Sequence, residues 1–141
     1  MAGHSQHPTV FPFYAGEDLS DCQYHFVKMD DTAELITNSV VLCDTESEKA
    51  IGILVNKPTL SEVAQVARIG SRTKLNLDND SLNPGDELTT DADGHGLALQ
   101  GPDGIEYVNA ILLSAPDDSY SGETLVDVLV VLYTIYTLPQ G

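Results

Sequence analysis

Four histidines, two cysteines and several acidic runs are the side chains whose types and spacing could do chemistry in this chain. His4 and His7 stand three apart, a spacing that holds a metal only when further ligands join it. They read as solvated tail histidines. His25 falls between Tyr24 and Phe26 in a strand-like run, and His95 follows the Asp93-Gly94 turn signal. No Gly-x-Ser-x-Gly elbow accompanies them, and Cys43 has no histidine partner by spacing. Cys22 and Cys43 lack Cys-x-x-Cys spacing, so they supply neither a disulfide framework nor a zinc signature. Both are read as buried free thiols.

The runs Asp78-Asn79-Asp80, Asp86-Glu87 and Asp91-Ala92-Asp93-Gly94 carry oxygen ligands of the kind calcium takes. They miss the EF-hand pattern, because no glycine stands at the sixth position after Asp78. Turn formation and surface solvation account for them. A carboxylate pair for glycosidase work is compatible with so acidic a chain. A sugar cleft usually wants aromatic platforms, however, and the sequence has no Trp. Gly70, Gly85, Gly94, Gly96, Gly101 and Gly104 are too scattered to cradle a phosphate. The expectation is therefore no catalytic residue, no metal ligand and no cofactor.

The elements that would position such residues must fit 141 residues, 42% of them hydrophobic, which is enough for one domain with a real core. The net charge of −16 comes from 22 acids against 6 bases. From Leu75 to Gly141 there are 12 acids and no Lys or Arg, so that half cannot neutralise phosphates, and a nucleic-acid partner is not expected. An anionic membrane surface is disfavoured on the same ground. No apolar run reaches the ~18 residues that span a bilayer. The start of the chain lacks the basic and apolar regions of a signal peptide. Acidity of this degree with scarce lysine fits either hydration in very high salt or repulsion between crowded copies.

Met1 to Ser20 reads as an extended N-terminal arm ahead of a single β-domain over 21–141. Pro8 and Pro12 oppose both a helix and an interior strand. The apolar cluster Val10, Phe11, Phe13 and Tyr14 is awkward in water, so it is expected to pack on the parent domain or on a neighbouring subunit. From Gln23 onward, short strands recur at short intervals, the pattern of a sandwich or barrel. Strands are predicted at Tyr24 to Met29, Glu34 to Thr37, Val40 to Cys43, Ala50 to Val55, within Ser61 to Ile69, and at Arg72 to Leu77. Ser61-Glu62 could alternatively cap a helical turn. Pro84-Gly85 and Asp93-Gly94 bracket a predicted hairpin, the second as a type I′ turn. Gly101 to Gly104 is a further turn, and Pro116 to Gly122 an acidic loop. Leu125 to Leu138 is β-branched and alternating, with Val126, Val128, Val130 and Leu132 on one side. The fold class is all-β, a compact barrel of about nine or ten short strands.

The order of three motifs resembles the small capsid decoration proteins of tailed viruses, also called cement or head-stabilising proteins. They are Tyr24-His25-Phe26-Val27-Lys28 with Val40-Val41-Leu42; Ala50-Ile51-Gly52-Ile53-Leu54-Val55-Asn56-Lys57-Pro58 with Ala64-Gln65-Val66-Ala67; and Leu82-Asn83-Pro84-Gly85-Asp86-Glu87-Leu88 with Asp93-Gly94. The similarity runs from Gln23 to Val131. It implies a β-barrel or β-tulip domain without catalytic activity, assembled as a homo-oligomer, a trimer for preference. Its partner would be the major capsid protein, on the outer surface of the virion. The arm and the tail depart from the family pattern. They are the expected gripping elements, through Val10, Phe11, Phe13 and Tyr14, and through Tyr133, Tyr136 and Leu138. A calcium- or carbohydrate-binding β-domain on a virion or cell surface is the alternative.

Overall fold

The computed structural model describes residues 9–32, 38–77, 82–99, 104–114 and 124–137. Among them there are ten strands and no helix: β1 (Val10–Ala15), β2 (Phe26–Met29), β3 (Ser39–Leu42), β4 (Gly52–Leu54), β5 (Val63–Ala67), β6 (Arg72–Leu77), β7 (Glu87–Thr90), β8 (Gly96–Ala98), β9 (Gly104–Leu112) and β10 (Thr124–Thr137). The strands form two closed five-stranded barrels. The first runs β1-β3-β2-β4-β5 and the second β10-β6-β8-β7-β9. Closure removes the open edges that make short strands prone to aggregate. The predicted strand Glu34 to Thr37, the turn at 101–103 and the loop Pro116 to Gly122 lie outside the described residues.

Of the predicted arm, residues 9–20 are described, and Val10–Ala15 is a barrel strand and not part of a separate arm. β1 pairs antiparallel with β5 along its length and parallel with β3 from Tyr14. Its odd-numbered amides face β5, as the Ala15 N–H bond to the Glu62 carbonyl shows, and its even-numbered amides face the other side, as Tyr14 N–H to Asn38 O shows. Pro12 sits at an even position, so its missing N–H costs no bond to β5. This parity reconciles the proline with strand structure.

The ambiguous segment after Ser61 is a strand. Ser61 adopts a positive φ of 70° and Glu62 accepts from Thr59, which confines the cap to a tight turn before β5. Pro84-Gly85 makes the expected turn. Gly85 has a φ of 95°, and Asp86 N–H donates to Asn83 O. The Asp93-Gly94 turn differs from expectation. Only Gly94 has positive φ, and five residues separate the paired Thr90 and Gly96. Asp91 decides this. Its carboxylate Oδ1 accepts the N–H groups of Asp93 and His95, at 2.8 Å each, and organises a longer loop than a two-residue type I′ turn.

The barrels share hydrophobic contacts. The inside of the first is lined by Val27, Val40, Leu54, Ala64 and Val66. The alternate residues Phe26 and Ile53, with Cys43 and Ala50, join the core of the second barrel: Leu75, Leu77, Leu88, Ala110, Leu112, Val126, Val128 and Val130. β2 and β4 are therefore apolar on both faces. At Gly52 a Cβ would lie 2.2 Å from the Ala67 carbonyl oxygen, so only glycine lets β4 approach β5 this closely. β10 alternates as predicted until a bulge between Val130 and Tyr133 shifts its register on β9.

Polar bonds fasten the same seam. Fully buried Asn109 on β9 accepts the Ala50 N–H through Oδ1 and donates through Nδ2 to the Glu48 carbonyl. Phe26 N–H donates to Gly94 O, and Asn76 N–H to Tyr24 O. Replacing Asn109→Leu orphans two backbone groups next to the core, each costing ~1–3 kcal/mol. We expect a lower denaturation midpoint in urea with an unchanged slope. An unchanged midpoint would show that the clamp is not needed.

Candidate functional site

Among the sequence-predicted residues, β1 collects Val10, Phe11, Phe13 and Tyr14 on one element. Strand alternation then divides them. Phe13 turns inward and packs, half-buried, on the core of the first barrel. Val10 and Tyr14 face outward with Pro12, at 38% and 48% exposure for Val10 and Tyr14. Val63 lies directly opposite Tyr14 on β5 and is equally exposed, at 48%. Together, Val10, Pro12, Tyr14 and Val63 form an apolar outer stripe across two hydrogen-bonded strands. Phe11 lies at the end of the barrel under the Arg68 guanidinium, 4.3 Å from the ring centroid. Residues of such a stripe, held on a hydrogen-bonded frame, would lose little freedom on being covered.

Among the tail residues, the side chain of Tyr133 is described. Tyr133 is 40% exposed on β10, and its hydroxyl donates to the Glu87 carboxylate. Burial and that carboxylate push its phenol up to about 12. Tyr136 pairs through its backbone with Ile105, and Leu138 lies outside the described residues, as do His4, His7 and the Asp78-Asn79-Asp80 run.

Asp91, Asp93 and His95 can each turn one ligand atom to within 4.8 Å of the others. Asp91 is already used by the fold. Besides the two amide bonds, its Oδ2 lies 3.3 Å from His95 Nδ1. His25 comes from the other barrel and packs on His95, with ring centroids 4.7 Å apart, while its Nδ1 contacts Gln23 O. Sequence spacing could not have paired these histidines, which are 70 positions apart and on different barrels. The Cys43 thiol is no nucleophile: desolvation in the core raises its pKa well above the ordinary range.

Ion pairing separates the bases. Lys28 reaches Asp44 at 2.6 Å and Glu48 at 3.0 Å, and Lys74 reaches Asp127 at 2.8 Å. Among the described residues, Lys49, Lys57, Arg68 and Arg72 have no such partner. Comparison with known proteins finds no matching family model and no similar curated protein.

Lys28 sets a pH signature. Its hydrogen bond to Asp44 raises the ammonium pKa above the ordinary range and, from the other side, holds the Asp44 carboxyl below its ordinary value. A depressed carboxyl gives stability that is present above its unfolded value, ~4, and lost as pH falls through the folded one. A raised ammonium gives stability that is present below its unfolded value, ~10.4, and lost only as pH rises through the folded one. We expect the difference in unfolding free energy between wild type and Lys28→Met to stay constant from pH 5 to 8 and to narrow below pH 4 in urea titrations. A difference independent of pH down to 2 would contradict this pairing.

Proposed function

We propose that this chain is a capsid decoration protein of a tailed virus, binding the outer surface of the assembled icosahedral head and bridging neighbouring major capsid proteins. The apolar outer stripe of Val10, Pro12, Tyr14 and Val63 carries the reading. A hydrophobic face on a closed barrel suits a protein that works by covering a seam. Pulling one capsomer from another then also requires exposing that face to water. Fully burying a large apolar side chain contributes ~1.5–3 kcal/mol. Many copies acting on one shell multiply a modest affinity. The net charge of −16 complements this role by keeping undocked copies apart. Function in this reading is mechanical and needs no catalytic group. Copies would associate on the shell as a homo-oligomer, a trimer for preference, and the virion surface is the place of action.

The test uses expanded shells assembled from the major capsid protein of the virus that encodes this chain. Wild-type protein is expected to co-sediment with them and to raise the temperature at which they break. The double variant Tyr14→Ser, Val63→Ser changes only exposed side chains. It is expected to keep its own melting temperature while binding at least about tenfold more weakly, the loss of ~1.4 kcal/mol of apolar contact. Wild type that fails to bind expanded shells would overturn the function. A double variant that binds as wild type does would overturn the docking face.

A further inference from the structure

On the seam between the barrels, away from the apolar stripe, a depression of about 350 Å³ is lined by Asp21, Gln23, Tyr24, Lys57, Asn76 and Leu125 among others. Its volume is at the lower end of the range that small-molecule sites occupy, ~300–1,000 Å³. Its lining is chemically mixed. Asn76 is nine-tenths buried, and Nδ2 donates to Gln23 O at 3.2 Å, yet Oδ1 has no partner among the described residues. The Gln23 amide donates to Val55 O and likewise leaves its Oε1 unused. The Tyr24 hydroxyl and the Lys57 ammonium have no hydrogen-bond or ion-pair partner among the described residues. Two amide acceptors, a carboxylate, a phenol and an ammonium thus line one depression together with the partly exposed apolar side chain of Leu125.

The backbone beneath the depression is strained where it places an aromatic ring. Tyr24 has a φ of 65°, a left-handed conformation that bulky residues rarely adopt. Two bonds hold it there: Tyr24 N–H to Leu54 O and Asn76 N–H to Tyr24 O, one to each barrel. The same pair of contacts aligns Asn76 with the tyrosine. Side-chain acceptors that open onto the depression and have no donor of their own suit a ligand that brings hydroxyl groups. The tyrosine ring and Leu125 favour one that also has an apolar C–H face. A pyranose offers both: vicinal hydroxyls that donate and accept side by side, and a ring face of C–H bonds. Asp21 and Lys57 line the same depression with opposite charges, which argues for a hydroxyl-rich ligand over a phosphate or a simple ion.

We propose that this seam depression is a saccharide-binding site, with Asn76, Gln23 and Lys57 reading vicinal hydroxyls and Tyr24 and Leu125 receiving the sugar's C–H face. It is independent of shell docking, because it involves neither β1 nor the outer face of β5. The probe is the full chain, isotopically labelled, applied first to a printed array of neutral and sialylated mono- to tetrasaccharides. The glycan retained is then titrated and followed by amide NMR. The expected result is retention of at least one glycan, with shifts centred on the side-chain amides of Gln23 and Asn76 and on Tyr24. Lys57→Ala and Leu125→Ser, both at exposed side chains, are expected to weaken binding by about three- to tenfold each, the first through a lost hydrogen bond and the second through lost contact with the C–H face. Absence of retention on the whole array, shifts centred elsewhere, or wild-type affinity in both variants would overturn the site. None of these results bears on binding to capsid shells, so the two readings fail separately.

Discussion

The rest of the structure depends on two small barrels, each with its own interior, being joined where outward residues of the first enter the core of the second. Five strands of three to six residues enclose few side chains, and a unit so small buries too little apolar surface to offset its chain entropy. The first barrel meets this by turning Phe26 and Ile53 outward into the leucines and valines of the second. A sheet face that would otherwise need polar residues becomes interior. Backbone groups stranded by that contact are met by Asn109, whose amide bonds Ala50 and Glu48 at once. The seam is therefore both the hydrophobic and the polar centre of the molecule, and the depression beside Tyr24 is a consequence of where two rounded barrels meet.

That arrangement governs what remains outside. With β2 and β4 committed to the seam, β1 and β5 are the strands of the first barrel that keep an outward apolar face. Acidic residues fill the loops and the base-free second half, where they favour hydration and mutual repulsion. A rigid frame, an apolar stripe on β1 and β5 and a strong net negative charge suit a protein that docks on a large surface while its undocked copies stay apart. The decoration reading draws on this division of surface together with the order of motifs along the chain.

Much of the strand pattern was legible because period-two alternation and turn residues act locally. Val126, Val128 and Val130 alternate into the core, and Pro84-Gly85 turns where proline and glycine make turning cheap. The seam was less legible. Phe26-Val27 and Ile53-Leu54 read as ordinary apolar runs, and nothing local says that alternate members enter different cores. β1 was obscured by Pro12, whose tolerance depends on which neighbour its nitrogen faces, a matter of register and not of composition. The hairpin length was set by the Asp91 side chain and not by the Asp93-Gly94 pair. Of the candidate site, the cluster Val10 to Tyr14 was visible as an excess of apolar residues, but Val63 was not, since its partnership with Tyr14 spans 49 positions. Tyr24 gave no signal at all, because a left-handed tyrosine leaves no trace in a sequence.

The most direct measurement of the seam's coupling is native-state hydrogen exchange on the intact chain, comparing the slowest amides of β2 and β4 with those of β6 and β10. If the seam contact makes both barrels one cooperative unit, the two sets exchange with the same opening free energy, and Phe26→Ala lowers both by the same amount, ~3–5 kcal/mol for a buried phenylalanine. Two separate opening energies, with Phe26→Ala lowering only that of the first barrel, would contradict the account.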